Sequence, residues 1–150
     1  MNLYRKLSQL DESDKAIRVG LIGAGKFATM YLAQIPKTPG IHLAGIADLL
    51  PDNARNNLSK VGWPEQQYDA VSLDDAISKR STFVGDNWEQ LVQHPDIDII
   101  IEATGSPMAA VSHVLEAIEH GKHIVMVTVE ADVFCGPLLK QKADTAGVVY

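Results

Sequence analysis

The sequence predicts an α/β fold, a doubly wound parallel sheet with helices on both faces. Short apolar, β-branched runs alternate with stretches of helical periodicity along nearly all of the 150 residues. One such run, 17–22, passes straight into a glycine-tight turn at Gly23-Ala24-Gly25 and then a helix start. Another, 97–103, is almost continuously β-branched, as expected of a strand covered on both faces.

The elements follow in order. Leu3, Leu7 and Leu10 fall at helical spacing, so a short amphipathic helix over about 2–10 precedes the first strand, and Asp11–Asp14 breaks it. Strand 1 is 17–22. The next helix, about 25–35, carries Phe27, Met30, Tyr31 and Ile35 on one side and ends at Pro36, Pro39 and Gly40. Strand 2 is 41–47, followed by a helix near 52–60. Residues 61–80 are the least regular and read as an insertion with a short helix over 73–77. Strand 3 is 81–85. Asp86 with Glu89 forms a capping box for a helix that Pro95 stops. After strand 4 (97–103), Ser106 as N-cap and Pro107 at the first helical position open a helix that Gly121 closes. Strand 5 is 123–128, a last helix runs from about Pro137 to Ala146, and 148–150 opens a sixth strand. The expected architecture is therefore a Rossmann-type sheet of about six parallel strands in the order 3-2-1-4-5-6 with right-handed crossovers.

Bulk properties exclude several classes. The net charge of −6 argues against a broad nucleic-acid surface. No apolar run reaches membrane-spanning length, and the N-terminus lacks the hydrophobic core of a secretory signal. The one cysteine, Cys135, rules out an internal disulfide framework and fits a reducing compartment, so the cytoplasm is expected.

The turn after strand 1 has the form G-x-G-x-x-A, with Gly23, Gly25 and Ala28. In a dinucleotide-binding βα unit the first glycine makes the turn and the second admits the pyrophosphate to the backbone. The small third residue lets helix and strand pack closely. Gly23, Ala24, Gly25, Lys26 and Phe27 are thus expected on the pyrophosphate, facing unpaired N–H groups at the positive helix end. Asp48, 20 residues beyond Ala28 at the end of strand 2, either accepts hydrogen bonds from the adenosine ribose or caps a helix. Its charge favours NAD. Arg55 either pairs with the 2′-phosphate of NADP or stands exposed on its helix, so NAD versus NADP stays open. After strand 4, Ala103 and Gly105 let the dinucleotide pass, and Thr104 and Ser106 donate to it, unless the loop is only a helix cap. After strand 5, Thr128 and Glu130 reach the nicotinamide end; Glu130, the weak catalytic candidate, reads almost equally well as an exposed loop carboxylate.

Other residues carry little. His113 and His120 sit about two turns apart on one helix, roughly 10 Å, too far to share a metal. All five histidines read as surface or partly buried, and Cys135 as an inert thiol. Asp74-Asp75 and Asp11-Glu12 read as solvated or capping charges. No nucleophilic triad and no metal site are expected.

With 20–27 (Gly-Leu-Ile-Gly-Ala-Gly-Lys-Phe), 47–49 (Ala-Asp-Leu), 102–107 (Glu-Ala-Thr-Gly-Ser-Pro) and 119–127 (Glu-His-Gly-Lys-His-Ile-Val-Met-Val), a specific resemblance emerges. The chain resembles the N-terminal NAD(P)-binding domain of homoserine dehydrogenase-like proteins with a C-terminal SAF domain. The similarity extends over essentially all of it, including 2–10 and 129–133. The resemblance implies an oxidoreductase in full-length form, moving hydride between nicotinamide and a small oxygenated metabolite. Substrate and SAF-like domains would lie beyond residue 150, so residues 1–150 alone are expected to be inactive. One branch of the family acts as a deoxyxylulose-phosphate reductoisomerase with NADPH, and that reaction is the alternative. Authentic homoserine dehydrogenases place a catalytic lysine after strand 5, where this sequence has Glu130-Ala131. A non-catalytic dinucleotide-binding or sensing domain is the alternative from a different class. The expected partner is a small-molecule substrate, with no nucleic acid and no membrane; a homo-oligomer stays open.

Overall fold

A computed structural model describes residues 2–150. Its sheet has five parallel strands in the order β3-β2-β1-β4-β5. These are β1 (Ile17–Ile22), β2 (Ile41–Ala47), β3 (Phe83–Gly85), β4 (Ile99–Glu102) and β5 (His123–Met126). Seven α-helices accompany them among the described residues: α1 (Leu3–Glu12), α2 (Lys26–Gln34), α3 (Pro51–Lys60), α4 (Leu73–Lys79), α5 (Trp88–Gln93), α6 (Pro107–Glu119) and α7 (Val129–Ala146). The doubly wound class and its strand order are those the sequence predicts, with one strand fewer. Residues 148–150 lie beside β5, where Ile124 N–H donates to the Val149 carbonyl at 2.8 Å, and add no ladder of their own.

Two cores sandwich the sheet. Val19 and Leu21 of β1 join Ile101 of β4 under Ala28 and Leu32 of α2 and Ala54 and Leu58 of α3. On the other face Ile22 and Ile100 meet Leu91 of α5, Val114 and Ile118 of α6, and Leu139 of α7. Alternate residues of one strand thus serve opposite cores, as strand geometry requires. In β2 the alternation slips. Val19 pairs with Leu43 but Gly20 pairs with Gly45, so Ala44 is the extra residue of a bulge. The slip keeps both Leu43 and Ile46 in the α2/α3 core despite their odd separation.

Several boundaries differ from the sequence reading for identifiable reasons. The last helix starts at Val129, not near Pro137. Pro137 is accommodated inside the helix because the bond it cannot donate concerns the carbonyl of Val133, a residue 85% exposed, where water can serve instead. The cap of α5 is Asn87, whose Oδ1 accepts the N–H groups of Glu89 and Gln90, in place of Asp86. Ser106 does occupy the N-cap of α6, with Pro107 following, but its side chain makes no capping bond. Strand 3 is cut to Phe83–Gly85 because the Thr82 hydroxyl takes the Leu43 carbonyl at 2.6 Å.

The 61–80 insertion is a cover for this edge of the sheet. Trp63 Nε1 donates to the Leu32 carbonyl at 2.8 Å, and Ala70 bridges to Phe83. Leu73 and Ala76 of α4 are buried against the sheet.

Candidate functional site

The site is assembled at the carboxyl edge of the sheet, where the ladder runs on into the loops. Gly23 N–H donates to the Ala47 carbonyl at 2.8 Å, and Ala103 N–H to the Ile22 carbonyl at 2.8 Å. The glycine turn and the loop after β4 are thereby held side by side. Gly23 has φ +93°, and a Cβ there would lie 2.8 Å from the backbone of Ala103 and Thr104. Only glycine meets both demands. Gly25 differs: its φ is −73°, and a Cβ there would meet nothing within 4 Å. The fold itself therefore leaves the space above Gly25 open.

Asp48 locks this turn. Its Oδ2 accepts the Ala24 N–H at 2.6 Å and its Oδ1 the Leu50 N–H at 2.9 Å. Asn57 of α3 completes the clamp by donating Nδ2 to the Ala24 carbonyl at 2.8 Å. Asn57 was not a sequence candidate, since one asparagine on a polar helix face carries no signal. Arg55 fits neither of its expected roles. Its guanidinium donates to the carbonyls of Tyr68 (3.1 Å) and Val84 (3.2 Å), half-buried, and is committed to holding the insertion.

On the far side of the turn lies a cavity of about 420 Å³ that brings together Gly23, Gly25, Asp48, Ala103, Thr104 and Ser106. Trp88 of α5 and His113 of α6 close its apolar end, ring centroids 4.5 Å apart. His113 is 6% exposed, more deeply placed than its sequence reading as a surface or partly buried histidine. Ala24 and Lys26 instead border a second, polar hollow of about 390 Å³ between α2 and α3, which also shares Gly25 and Asp48. Phe27, 39% exposed, and Gly105 line neither.

Beneath the cavity floor Glu102, fully buried at the end of β4, organises the loops that follow β4 and β5. Its Oε1 accepts the Thr104 hydroxyl (2.6 Å), the Thr104 N–H (3.3 Å) and His113 Nδ1 (3.3 Å). Burial pushes its carboxyl up, but the hydrogen bonds of His113, Thr104 and Thr128 outweigh this and hold it below the usual carboxylate range. Thr128 is itself buried and takes the Gly105 N–H on its hydroxyl at 3.0 Å, so it braces the loop instead of facing the cavity. Glu130 stands exposed in the first turn of α7, outside the cavity, and Ala131 is fully buried beside it. No group of three metal-ligating side chains occurs among the described residues. Nor is any described helix long and apolar enough to cross a membrane.

A nicotinamide dinucleotide fits this donor set. The open space over Gly25 would take a pyrophosphate, and the apolar cavity beside Asp48 would take a nucleoside.

Comparison with known proteins agrees. The family model for the NAD-binding domain of homoserine dehydrogenase matches residues 23–149, and the chain belongs to that family. It is 31% identical over 115 residues to homoserine dehydrogenase of Neisseria gonorrhoeae, covering 74% of this chain and 23% of that one. It is 29% identical over 113 residues to glycosyl hydrolase family 109 protein 1 of Bacteroides fragilis, covering 73% and 22%. The chain thus spans about a quarter of the length of these relatives. Among solved structures, a homoserine dehydrogenase from Thiobacillus denitrificans superposes with a TM-score of 0.66 at 22% identity, over 89% of this chain and 28% of that one. Two others share the fold at a TM-score of 0.61 and 20% identity, each covering 89% of this chain and 36% of its own. One is biliverdin reductase of Synechocystis in complex with biliverdin and NADP+, the other the WlbA dehydrogenase of Bordetella pertussis in complex with NADH and UDP-GlcNAcA.

Proposed function

We propose that this chain is the cofactor-holding part of an NAD(P)-dependent oxidoreductase acting on a small oxygenated metabolite. The observation that carries the reading is Gly25, a glycine that the protein's own packing does not require, set on a turn that Gly23, Asp48 and Asn57 hold rigid. When bound, the nicotinamide ring supplies hydride transfer. The residues of this chain hold, orient and shield. Gly23–Phe27 receive the pyrophosphate at the positive end of α2. Asp48 offers its remaining lone pairs to the adenosine ribose, and Trp88 and His113 wall the apolar end of the cavity. Ala103–Ser106, with Thr104 anchored on Glu102 and Gly105 on Thr128, position the nicotinamide half.

Substrate-binding groups belong, in this proposal, to further sequence of the kind the longer relatives carry, SAF-like or otherwise. Homoserine is not the favoured substrate, because the place of the family's catalytic lysine holds Glu130 and the fully buried Ala131. A reductoisomerase-like reaction is compatible with the same cofactor cleft.

Calorimetric titration with NADH and NADPH, on the native chain and on Gly25→Ala, tests the reading. Micromolar binding that falls at least tenfold in the variant, with the fold intact, is the expected result. A folded native chain that takes up neither dinucleotide would overturn it.

A further inference from the structure

At the apolar end of the cavity the fold decides the character of a ring nitrogen. His113 is buried on α6 against Trp88, and its Nδ1 lies 3.3 Å from Glu102 Oε1. Glu102 is held below the usual carboxylate range, so near neutral pH it is an anion that can only accept. The proton of this hydrogen bond therefore belongs to Nδ1, and in the neutral ring Nε2 is left as a bare acceptor. Nε2 has no hydrogen-bond partner among the described residues, yet it is not sealed in the interior as the unpartnered Glu102 Oε2 is. The ring lines the cavity, and Nε2 opens onto that space. Glu102 is the charged group that touches the ring. Asp48 and Asp86 border the same cavity from the loops after β2 and β3, and Glu116, three residues on along α6, is taken by Gln93 and His120.

We propose that His113 reads the base of the dinucleotide, its Nε2 accepting a hydrogen bond from the exocyclic amine of adenine. Glu102 is the positioning residue that holds His113 in the required tautomer. The inference rests on the cofactor reading above and adds to it the residue that selects the base. With the ribose at Asp48 and the pyrophosphate over Gly25, the base extends toward the end wall formed by Trp88 and His113. The part of a purine that arrives there first is the edge farthest from the glycosidic bond, which carries the substituent at position 6. Adenine presents an N–H donor at that position, whereas hypoxanthine and guanine present a carbonyl oxygen. Its lone pairs would face those of Nε2, leaving two acceptors opposed where a donor is needed. The nearest donor of hypoxanthine, its N1–H, is one ring atom away and reaches Nε2 only if the base shifts.

The test is parallel calorimetry at about pH 8, where an ordinary histidine is neutral. The ligands are NADH and its analogue with hypoxanthine in place of adenine, titrated into the native chain, His113→Phe and Asp86→Asn. NADH is expected to bind the native chain about tenfold tighter than the analogue. His113→Phe should bring the two affinities together, and Asp86→Asn should keep them apart. In 15N NMR of the native chain, His113 should show a protonated Nδ1 and a bare Nε2 whose resonance moves on addition of NADH. Circular dichroism establishes that each variant is folded. If His113→Phe does not fold, Glu102 having lost a partner, the native-chain affinities and the NMR decide alone. Equal affinities for the two dinucleotides, a preference untouched by His113→Phe, or a proton on Nε2 of the free chain overturns the inference and leaves the cofactor reading standing. A preference lost in Asp86→Asn and kept in His113→Phe overturns it in favour of Asp86. Binding of neither dinucleotide overturns both.

Discussion

Gly23 and Gly25 are two residues apart in one motif, yet substitution should separate them by what is lost. A methyl at Gly23 meets the backbone of Ala103 and Thr104 and forces a side chain into positive φ. Gly23→Ala is therefore expected to cost about 2 kcal/mol or more, roughly 5 °C in melting temperature, read by thermal denaturation. Gly25→Ala should melt within about a degree of the native chain and lose affinity alone. Substitution of Asp48 is expected to combine both losses. Its two short bonds to the Ala24 and Leu50 N–H groups are charge-assisted, so Asp48→Ala should destabilise the fold by about 2 kcal/mol in urea unfolding as well as weakening dinucleotide binding. An affinity loss in that variant therefore has to be read beside its stability. Sequence placed Asp48 correctly at the end of a strand. That its carboxylate is half-spent on the turn followed only from the contacts.

At the scale of elements, the edge of the sheet depends on side chains that reach across it. Arg55 joins α3 to the carbonyls of Tyr68 and Val84, and Trp63 joins the insertion to α2. Arg55→Ala leaves two carbonyls without that partner and should cost about 1–3 kcal/mol in urea unfolding. The NADPH-to-NADH affinity ratio should stay unchanged, since its guanidinium is committed to those carbonyls and Arg55 lines neither hollow. Lys122 plays the same kind of part, buried between α6 and β5, with Nζ donating to the carbonyls of His94 (2.6 Å) and Ile97 (2.8 Å). Burial lowers its pKa, and the two carbonyls take two of its three N–H donors. The helices α2 and α6 were legible because their signals are local: apolar spacing, a preceding glycine or a Ser-Pro start. The β2 bulge was not, because an extra residue is revealed only by the strand beside it.

For the molecule as a whole, His42 and Glu102 each contribute to the response to acid. Burial of the His42 ring lowers its pKa below 6.5, chiefly by desolvation, against the hydrogen bond to the Ser81 carbonyl. A depressed histidine pKa means the unfolded chain binds the proton more readily. This stabilising contribution is present above pH 6.5 and is lost as pH falls from there toward the folded value. Glu102 is held below 4.5, so its contribution is present above pH 4.5 and is lost as pH falls through the folded pKa. Urea midpoints measured from pH 8 down to pH 3 should therefore decline in two stages, the first below pH 6.5 and the second below pH 4.5. His42→Gln should remove the first stage and leave the second.

What the sequence by itself determined is the alternation of strand and helix, the doubly wound class, the glycine turn and the family. All of these are written in local periodicity and in residues a few positions apart. Tertiary structure alone decided what each polar side chain near the turn does. Arg55 was drawn away to two carbonyls, Thr128 and Glu102 were turned inward as braces, and Lys26 and Lys60 were left without a described partner across a shared hollow. The physical reason is that a buried or half-buried polar group is governed by the partner it finds, and which group that is, whether two residues away as Thr104 is from Glu102 or 29 as Val84 is from Arg55, depends on how the chain folds around it.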